Sequence, residues 1–239
     1  MITGVITARM AATRFPGKPL AKIGTKSMLQ HVIENSQKSV LLNNLVVATC
    51  DDVIAEEAKK LGCQTMMTSI NHKRATDRMF EVSTKIASDV FVLIQGDEPM
   101  VTGNMIDESI NFLDKSGASC VNLMNSIDEL SEINDPNCIK VVVDENSNAM
   151  YFSRSPIPYL QPQFDLTARF KQVCIIPMLE STLRRFNRLP ESKLEILESI
   201  DMLRLLENRV DIKMCKLSSY THAVDTLEDL NKVKRLMKL

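Results

Sequence analysis

Residues 2–7, ITGVIT, run directly into residues 8–20, ARMAATRFPGKPL. A short apolar run rich in β-branched residues fits a strand covered on both faces. The stretch behind it is broken by Pro16, Gly17 and Pro19 and therefore reads as a loop. Further apolar runs stand at 45–49 (LVVAT), 63–68 (CQTMMT) and 90–94 (VFVLI). Between them, residues 27–39 place Met28, Leu29, Val32 and Ile33 on one helical face. Residues 53–61 do the same with Ile54, Ala55, Ala58 and Leu61, and Gly62 ends that helix. The alternation predicts an α/β fold, βαβαβαβ, with a mostly parallel sheet. Ligands of such sheets collect beyond the C-terminal strand ends, so polar motifs that follow strands carry the functional weight.

The second half is less regular. Strands are expected at 119–124, 139–143, 149–152, 173–178 and 211–216, and helices near 179–188, 191–207 and 226–237. This pattern predicts a mixed C-terminal extension of the sheet within one unit spanning 1–239, its halves meeting near 118/119. Residues 155–168, with three prolines, read as a long excursion.

With 29 Lys and Arg against 30 Asp and Glu, the chain has no general electrostatic pull toward nucleic acid or an anionic membrane. No stretch reaches the roughly 18 apolar residues of a membrane span, and MITGVITARM lacks a secretory pattern. Cys50, Cys63, Cys120, Cys138, Cys174 and Cys215 are scattered singly, without paired metal or redox spacing. A cytoplasmic protein is expected.

Two motifs follow strands. After the first, the loop opening at Ala8 sets Arg9, Arg14 and Lys18 where a ligand would bind. A nucleoside triphosphate carries about four negative charges that must be held and partly neutralised for displacement at its α-phosphorus. Arg forks onto phosphate oxygens and Lys acts as a point charge. The loop is neither GxxxxGK[ST] nor GxGxxG, so neither mechanism is borrowed. After the fourth strand, Gln95, Gly96, Asp97, Glu98 and Pro99 put two carboxylates at the same sheet edge. Magnesium takes one or two carboxylates and leaves the rest of its shell to phosphates and water, a task that suits Asp97. Asp225, ahead of a helical run, could equally be an N-terminal cap.

In order, ARMAATRFPGKPL, NHKRATDR (71–78), IQGDEP (94–99), YFSRSPIP (151–158) and AVDTLEDL (223–230) resemble the CMP-Kdo synthetase family over nearly the whole chain. The resemblance implies a Rossmann-like nucleotidyltransferase fold, usually homodimeric, whose halves bind nucleotide (1–118) and acceptor or partner subunit (119–239). It implies that Arg9, Arg14 and Lys18 meet the CTP phosphates and that Asp97 and Asp225 hold Mg²⁺. Ala8, Gln95, His72, Thr76, Asp77 and Arg78 then lie at the nucleotide. The family pattern H-x-S-G-T-[DE]-R is altered, because Arg74-Ala75 replaces Ser-Gly and adds bulk and charge at a turn. His72 has no visible catalytic partner and reads as an ordinary polar residue, and His31 and His222 make no stronger claim.

Arg154 suits the carboxylate of an acidic sugar, since guanidinium can form two parallel hydrogen bonds to it. The family segment K-H-x-G-x-Y-[GA]-[YF] is here Lys171, Gln172, Val173, Cys174, Ile175, Ile176, Pro177 and Met178. The family's L-E-Q-L-R is Ile200, Asp201, Met202, Leu203, Arg204. Gln172 and Asp201 are therefore expected at the acceptor, while Glu195, Glu198 and Asp201 form either a pocket-facing group or an exposed acidic face. The resemblance implies transfer of CMP from CTP to Kdo, with pyrophosphate released, for bacterial surface polysaccharide. A different acid acceptor, whether an amino-ulosonic, nonulosonic or phosphorylated compound, and a non-catalytic nucleotide-binding subunit are the alternatives.

Overall fold

The computed structural model describes residues 1–11 and 15–239. The first half comprises β1 (Ile2–Thr7), β2 (Lys22–Ile23), β3 (Lys26–Ser27), α1 (Met28–Ser36), β4 (Asn44–Thr49), α2 (Asp52–Lys60), β5 (Gln64–Met67), α3 (Ala75–Ser83), β6 (Val90–Gln95) and α4 (Gly103–Ser116). The second comprises β7 (Val121–Ser126), α5 (Leu130–Asn134), β8 (Lys140–Val143), β9 (Ala149–Ser153), β10 (Phe170–Val173), β11 (Ile175–Leu179), α6 (Glu180–Arg188), α7 (Lys193–Glu198), α8 (Met202–Glu207), β12 (Lys213–Lys216) and α9 (Leu227–Leu236).

The first sheet has the order β11-β6-β1-β4-β5, parallel throughout except for β11. The chain lays β4 and β5 on one side of β1, then crosses to place β6 on the other. That reversal makes the C-terminal ends of β1 and β6 a switch point, where the outgoing loops diverge and leave a crevice. Alternate residues explain why these strands are apolar on both faces. Val5, Ala48, Phe91 and Leu93 pack with Met79 and Val82 of α3, Leu183 and Phe186 of α6, and Leu203 of α8. Ile6, Val47, Val92 and Ile94 pack with Leu29 and Val32 of α1, Ile54 of α2, and Ile106 and Ile110 of α4.

The mixed C-terminal part takes the form of a second five-stranded sheet, β12-β7-β10-β8-β9. The expected strand at 173–178 is two strands, because the chain changes sheet at Cys174: β10 pairs with β7 and β8, whereas β11 pairs with β6. The expected helix at 191–207 is also two, α7 and α8, separated at Ser199, whose φ of 54° is left-handed. A third, smaller core of Ile23, Met28, Val224, Leu230 and Val233 fastens α9 to the β2–β3 hairpin. It draws the segment around Asp225 toward the loop that carries Lys18.

Candidate functional site

At the switch point lies a cleft of about 400 Å³, lined from both halves of the chain. That volume is in the usual range for a small-molecule site. Thr7 is in register with Gln95, so the turns leaving β1 and β6 run side by side. Gly96 permits the approach: its amide donates to the Thr7 carbonyl at 3.0 Å, and a Cβ there would stand 2.9 Å from that oxygen. The Asp97 carbonyl then accepts from the amide of Val224 at 2.9 Å, which brings the Asp97 and Asp225 side chains together.

Lys18 is the meeting point. Its Nζ donates to Asp97 Oδ2 at 2.7 Å and to Asp225 Oδ1 at 3.1 Å. Burial pulls the ammonium down, yet the charges and hydrogen bonds of the two carboxylates prevail and hold it above its ordinary value. Asp97 Oδ1 is buried with no hydrogen-bond partner. Among the described residues no group of three or more His, Cys, Asp or Glu side chains is arranged to hold a metal by itself. A cation bound by Asp97 and Asp225 would therefore take the rest of its shell from ligand and water. Glu98 turns inward, accepting from the Cys174 amide at 3.1 Å and the Thr221 hydroxyl at 3.4 Å. Burial and the neighbouring Asp97 charge push it up to about 7, and its hydrogen bonds turn it away from Lys18, which pairs with Asp97 instead.

Of the residues expected at the nucleotide, Ala8, Arg9, Lys18, His72, Arg78 and Gln95 line the cleft. Arg14 lies outside the described residues. Arg78 is buried, its guanidinium donating to Thr68 Oγ1 and to Cys50 Sγ, at the ends of β5 and β4. His72 meets Glu81 at 2.6 Å, in keeping with a polar structural role. Thr76 and Asp77, expected at the nucleotide, stand behind the wall. Thr76 Oγ1 donates to Asp201 at 2.6 Å, while Asp77 accepts from the Arg74 amide at 3.3 Å and pairs with Arg204 at 3.5 Å.

On the opposite side, Arg154, Gln172 and Asp201 line the cleft. Arg154 donates to the carbonyls of Glu198, Pro136 and Ser199 at 2.6, 2.7 and 3.1 Å. Gln172 donates to Asn122 at 2.6 Å. Burial raises the Asp201 carboxyl against the opposing pull of Thr76 and Arg74. Glu195 is neither pocket-facing nor exposed, because Arg204 grips it with two bonds at 2.6 and 2.7 Å in full burial. Glu198 accepts from Ser153 Oγ at 2.6 Å and from the Arg154 amide at 2.9 Å. Among the positions altered from the family pattern, Met202 and Met178 are buried in the core, so their change leaves the cleft wall untouched. Gln172, Cys174 and Ile176 do line it.

Sequence reasoning missed a second ionic cluster in the same cleft. Glu132 accepts from Lys171 at 2.5 Å and Tyr220 at 2.6 Å, and contacts His222 Nδ1 at 3.2 Å. The other nitrogen of His222 meets Asp229 at 3.0 Å, and Asp229 accepts from the Asp225 amide at 3.0 Å. Burial pushes Glu132 up, but His222, Lys171 and Tyr220 outweigh it and hold the carboxyl far below the usual range. His222 is raised in turn by Asp229 and Glu132 against its own burial. A histidine immediately ahead of a matched motif was the available signal; its partners are 90 and 7 residues away.

The arrangement can hold a polyanion against cations at one sheet edge and a second anionic or polyhydroxy ligand against the facing wall. A cytidylyltransferase family model matches residues 3–212. The 3-deoxy-manno-octulosonate cytidylyltransferase of Geobacter sulfurreducens is 38% identical, with 99% of each chain covered. The protein of that name from Thermodesulfovibrio yellowstonii is 35% identical over 98% of this chain and 96% of its own. A solved CMP:2-keto-3-deoxy-manno-octonic acid synthetase in complex with CTP has a TM-score of 0.88 at 35% identity, covering 99% of this chain and 98% of that one. A cytidylyltransferase from Leptospira borgpetersenii, 19% identical with a TM-score of 0.68, shares the fold.

Proposed function

The chain belongs to the cytidylyltransferase family, and from that premise we propose that it transfers CMP from CTP to 3-deoxy-manno-octulosonate (Kdo) with release of pyrophosphate. The carrying observation is full-length likeness to proteins of that name together with a cleft whose Lys18, Asp97 and Asp225 converge at the switch point. An acceptor hydroxyl attacks the α-phosphorus, the bond to the bridging oxygen breaks, and pyrophosphate departs. The product is an activated acidic sugar for surface polysaccharide. The chain's part is positioning and electrostatics: Lys18 and Arg9 face the triphosphate, and Arg154, Gln172 and Asp201 face the acceptor.

The donor chemistry of Asp97 and Asp225 fits Mg²⁺, which prefers hard oxygen ligands and takes few from the protein. Two features support that reading: both carboxylates already converge on one cation, and Asp97 Oδ1 is buried without a partner. Bound there, the ion would supply charge neutralisation at the phosphates. Arg14 is assigned to the phosphates by its place in the basic loop. We read the protein as a homodimer, supported by exposed Ile196 and Leu197 on α7 with Met150, Tyr159 and Phe164. Its cytoplasmic place is supported by six free cysteines. No helix among the described residues is long and apolar enough to cross a membrane.

The assignment is tested by pyrophosphate release with Mg²⁺ across CTP, UTP and ATP and a panel of acidic sugars. Release that requires CTP and Kdo together is expected. Release with a different acid alone would keep the reaction and replace the acceptor, and silence with every pair would overturn the enzyme reading.

A further inference from the structure

Arg74 crosses between the two walls of the cleft. It precedes α3, next to the nucleotide-side residues His72 and Arg78, yet its guanidinium reaches the corner between α7 and α8 on the acceptor side. Nη1 donates to Ser199 Oγ at 2.7 Å, Nη2 donates to the Glu195 carbonyl at 3.3 Å, and Nε lies 3.3 Å from Glu195 Oε1. Ser199 occupies the left-handed region, which an L-residue with a side chain holds only when its surroundings fix it. Its surroundings are two guanidiniums from opposite walls: Arg74 on its hydroxyl and Arg154 on its carbonyl, at 3.1 Å. Arg154, Ser199 and Asp201 all line the cleft.

We propose that Arg74 is a positioning residue that fastens the nucleotide loop to the acceptor wall at Ser199, so that filling the nucleotide side orders the acceptor side. The proposal rests on the transferase reading above. The chemistry favours arginine here. A planar fork can hold the hydroxyl of one residue and the carbonyl and carboxylate of another simultaneously, which a lysine point charge cannot. The neighbouring contacts, Thr76 to Asp201 and Asp77 to Arg204, join the same two segments from behind. The contact made by Arg74 lies within the cleft and bears on the corner that also carries the Arg154 contact. A loop reading Ser-Gly at 74–75 would lack this reach, so coupling through Arg74 is a property of this chain's own sequence.

The test uses the full chain and its R74A, R74K and S199A variants, with the thermal midpoint as a check on folding. First, hydrogen exchange is followed on adding CTP and Mg²⁺. In the wild type we expect slower exchange at 72–78 and also at 199–201, and in R74A at 72–78 alone. Second, the KM for Kdo at saturating CTP is compared with the Kd for CTP in the absence of Kdo. R74A should raise the first about tenfold, within the usual range of intersite coupling, and leave the second within about twofold. S199A should behave alike, R74A/S199A should be no worse than R74A, and R74K should fall between. CTP-induced protection at 199–201 that persists in R74A would overturn the proposal, as would its absence from the wild type. Equal shifts in these two constants, or additive effects of R74A and S199A, would overturn it too. Failure of the transferase reading is seen separately, as a wild type that forms no CMP-Kdo while its exchange still responds to CTP.

Discussion

Two ionic clusters line the cleft on opposite plans. Around Lys18, two carboxylates converge on one ammonium, and a buried oxygen of Asp97 is left without a hydrogen bond. Around Glu132 the signs are exchanged, with one carboxylate held by Lys171, Tyr220, His222 and Lys232. The first is a carboxylate pair suited to a further cation, and its members come from loops at a sheet edge. The second is a knot between α5, β10, the segment before α9 and Lys232 of α9, in which Glu132 Oε2 is likewise buried without a hydrogen bond but the carboxylate is already surrounded by cations. It also touches Asp229, which caps α9 beside Asp225. Residues alike in charge therefore differ in what their loss should cost: turnover at the first cluster, folding at the second, more deeply buried one.

That contrast can be broken by substitution. The largest expected effect is that of Asp97→Asn, which keeps shape and removes charge. It should lower kcat by about 10³, roughly 4 kcal/mol of transition-state stabilisation, while the thermal midpoint changes little. A midpoint that falls in step with activity would place Asp97 in the structural class. Glu132→Gln should do the reverse. It leaves buried cations uncompensated, costing about 3 kcal/mol, or about 8 °C in the midpoint for a chain of this size. The folded fraction should keep far more activity than the Asp97 variant.

A smaller effect sharpens the comparison from the apolar side. Leu230 is buried in the core that joins α9 to the β2–β3 hairpin. Leu230→Ala should cost about 2 kcal/mol and raise the KM for CTP, since Lys18 and Asp225 are held together by that core. An unchanged KM at the lowered midpoint would separate the hairpin from the site. The smallest effect is one of pH. His222 has a folded value above its ordinary one, with Glu132 and Asp229 drawing it up and Lys171 and Lys232 opposing them. Its stabilisation is complete below the unfolded value, about 6.5, and is lost as pH rises through the folded one. The wild-type midpoint should thus decline more steeply above neutral pH than that of His222→Gln, and parallel curves would contradict the charge assigned to the imidazole.

The same contrast explains what could be read from sequence. The strands at 2–7, 45–49 and 90–94 were legible because burial on both faces writes continuous β-branched runs. Lys18, Asp97 and Asp225 were legible because each sits in a motif at a strand or helix end. The Glu132 cluster was not, because Lys171, Tyr220 and His222 stand 39, 88 and 90 residues from the carboxylate they hold. The change of sheet at Cys174 and the corner at Ser199 carry no glycine or proline to mark them; both are set by tertiary packing. Thr76 and Asp77 sit in a motif too, yet their side chains pair with Asp201 and Arg204 at the start of α8, partners 125 and 127 residues away that no linear pattern shows.

The most direct test is product detection. Purified wild type and Asp97→Asn are incubated side by side with CTP, Kdo and Mg²⁺, and CMP-Kdo and pyrophosphate are measured together with CTP binding. Equimolar CMP-Kdo and pyrophosphate from the wild type, with the variant still folded and binding CTP but nearly silent, is the predicted result. No CMP-Kdo from the wild type, or undiminished formation by the variant, would contradict the account.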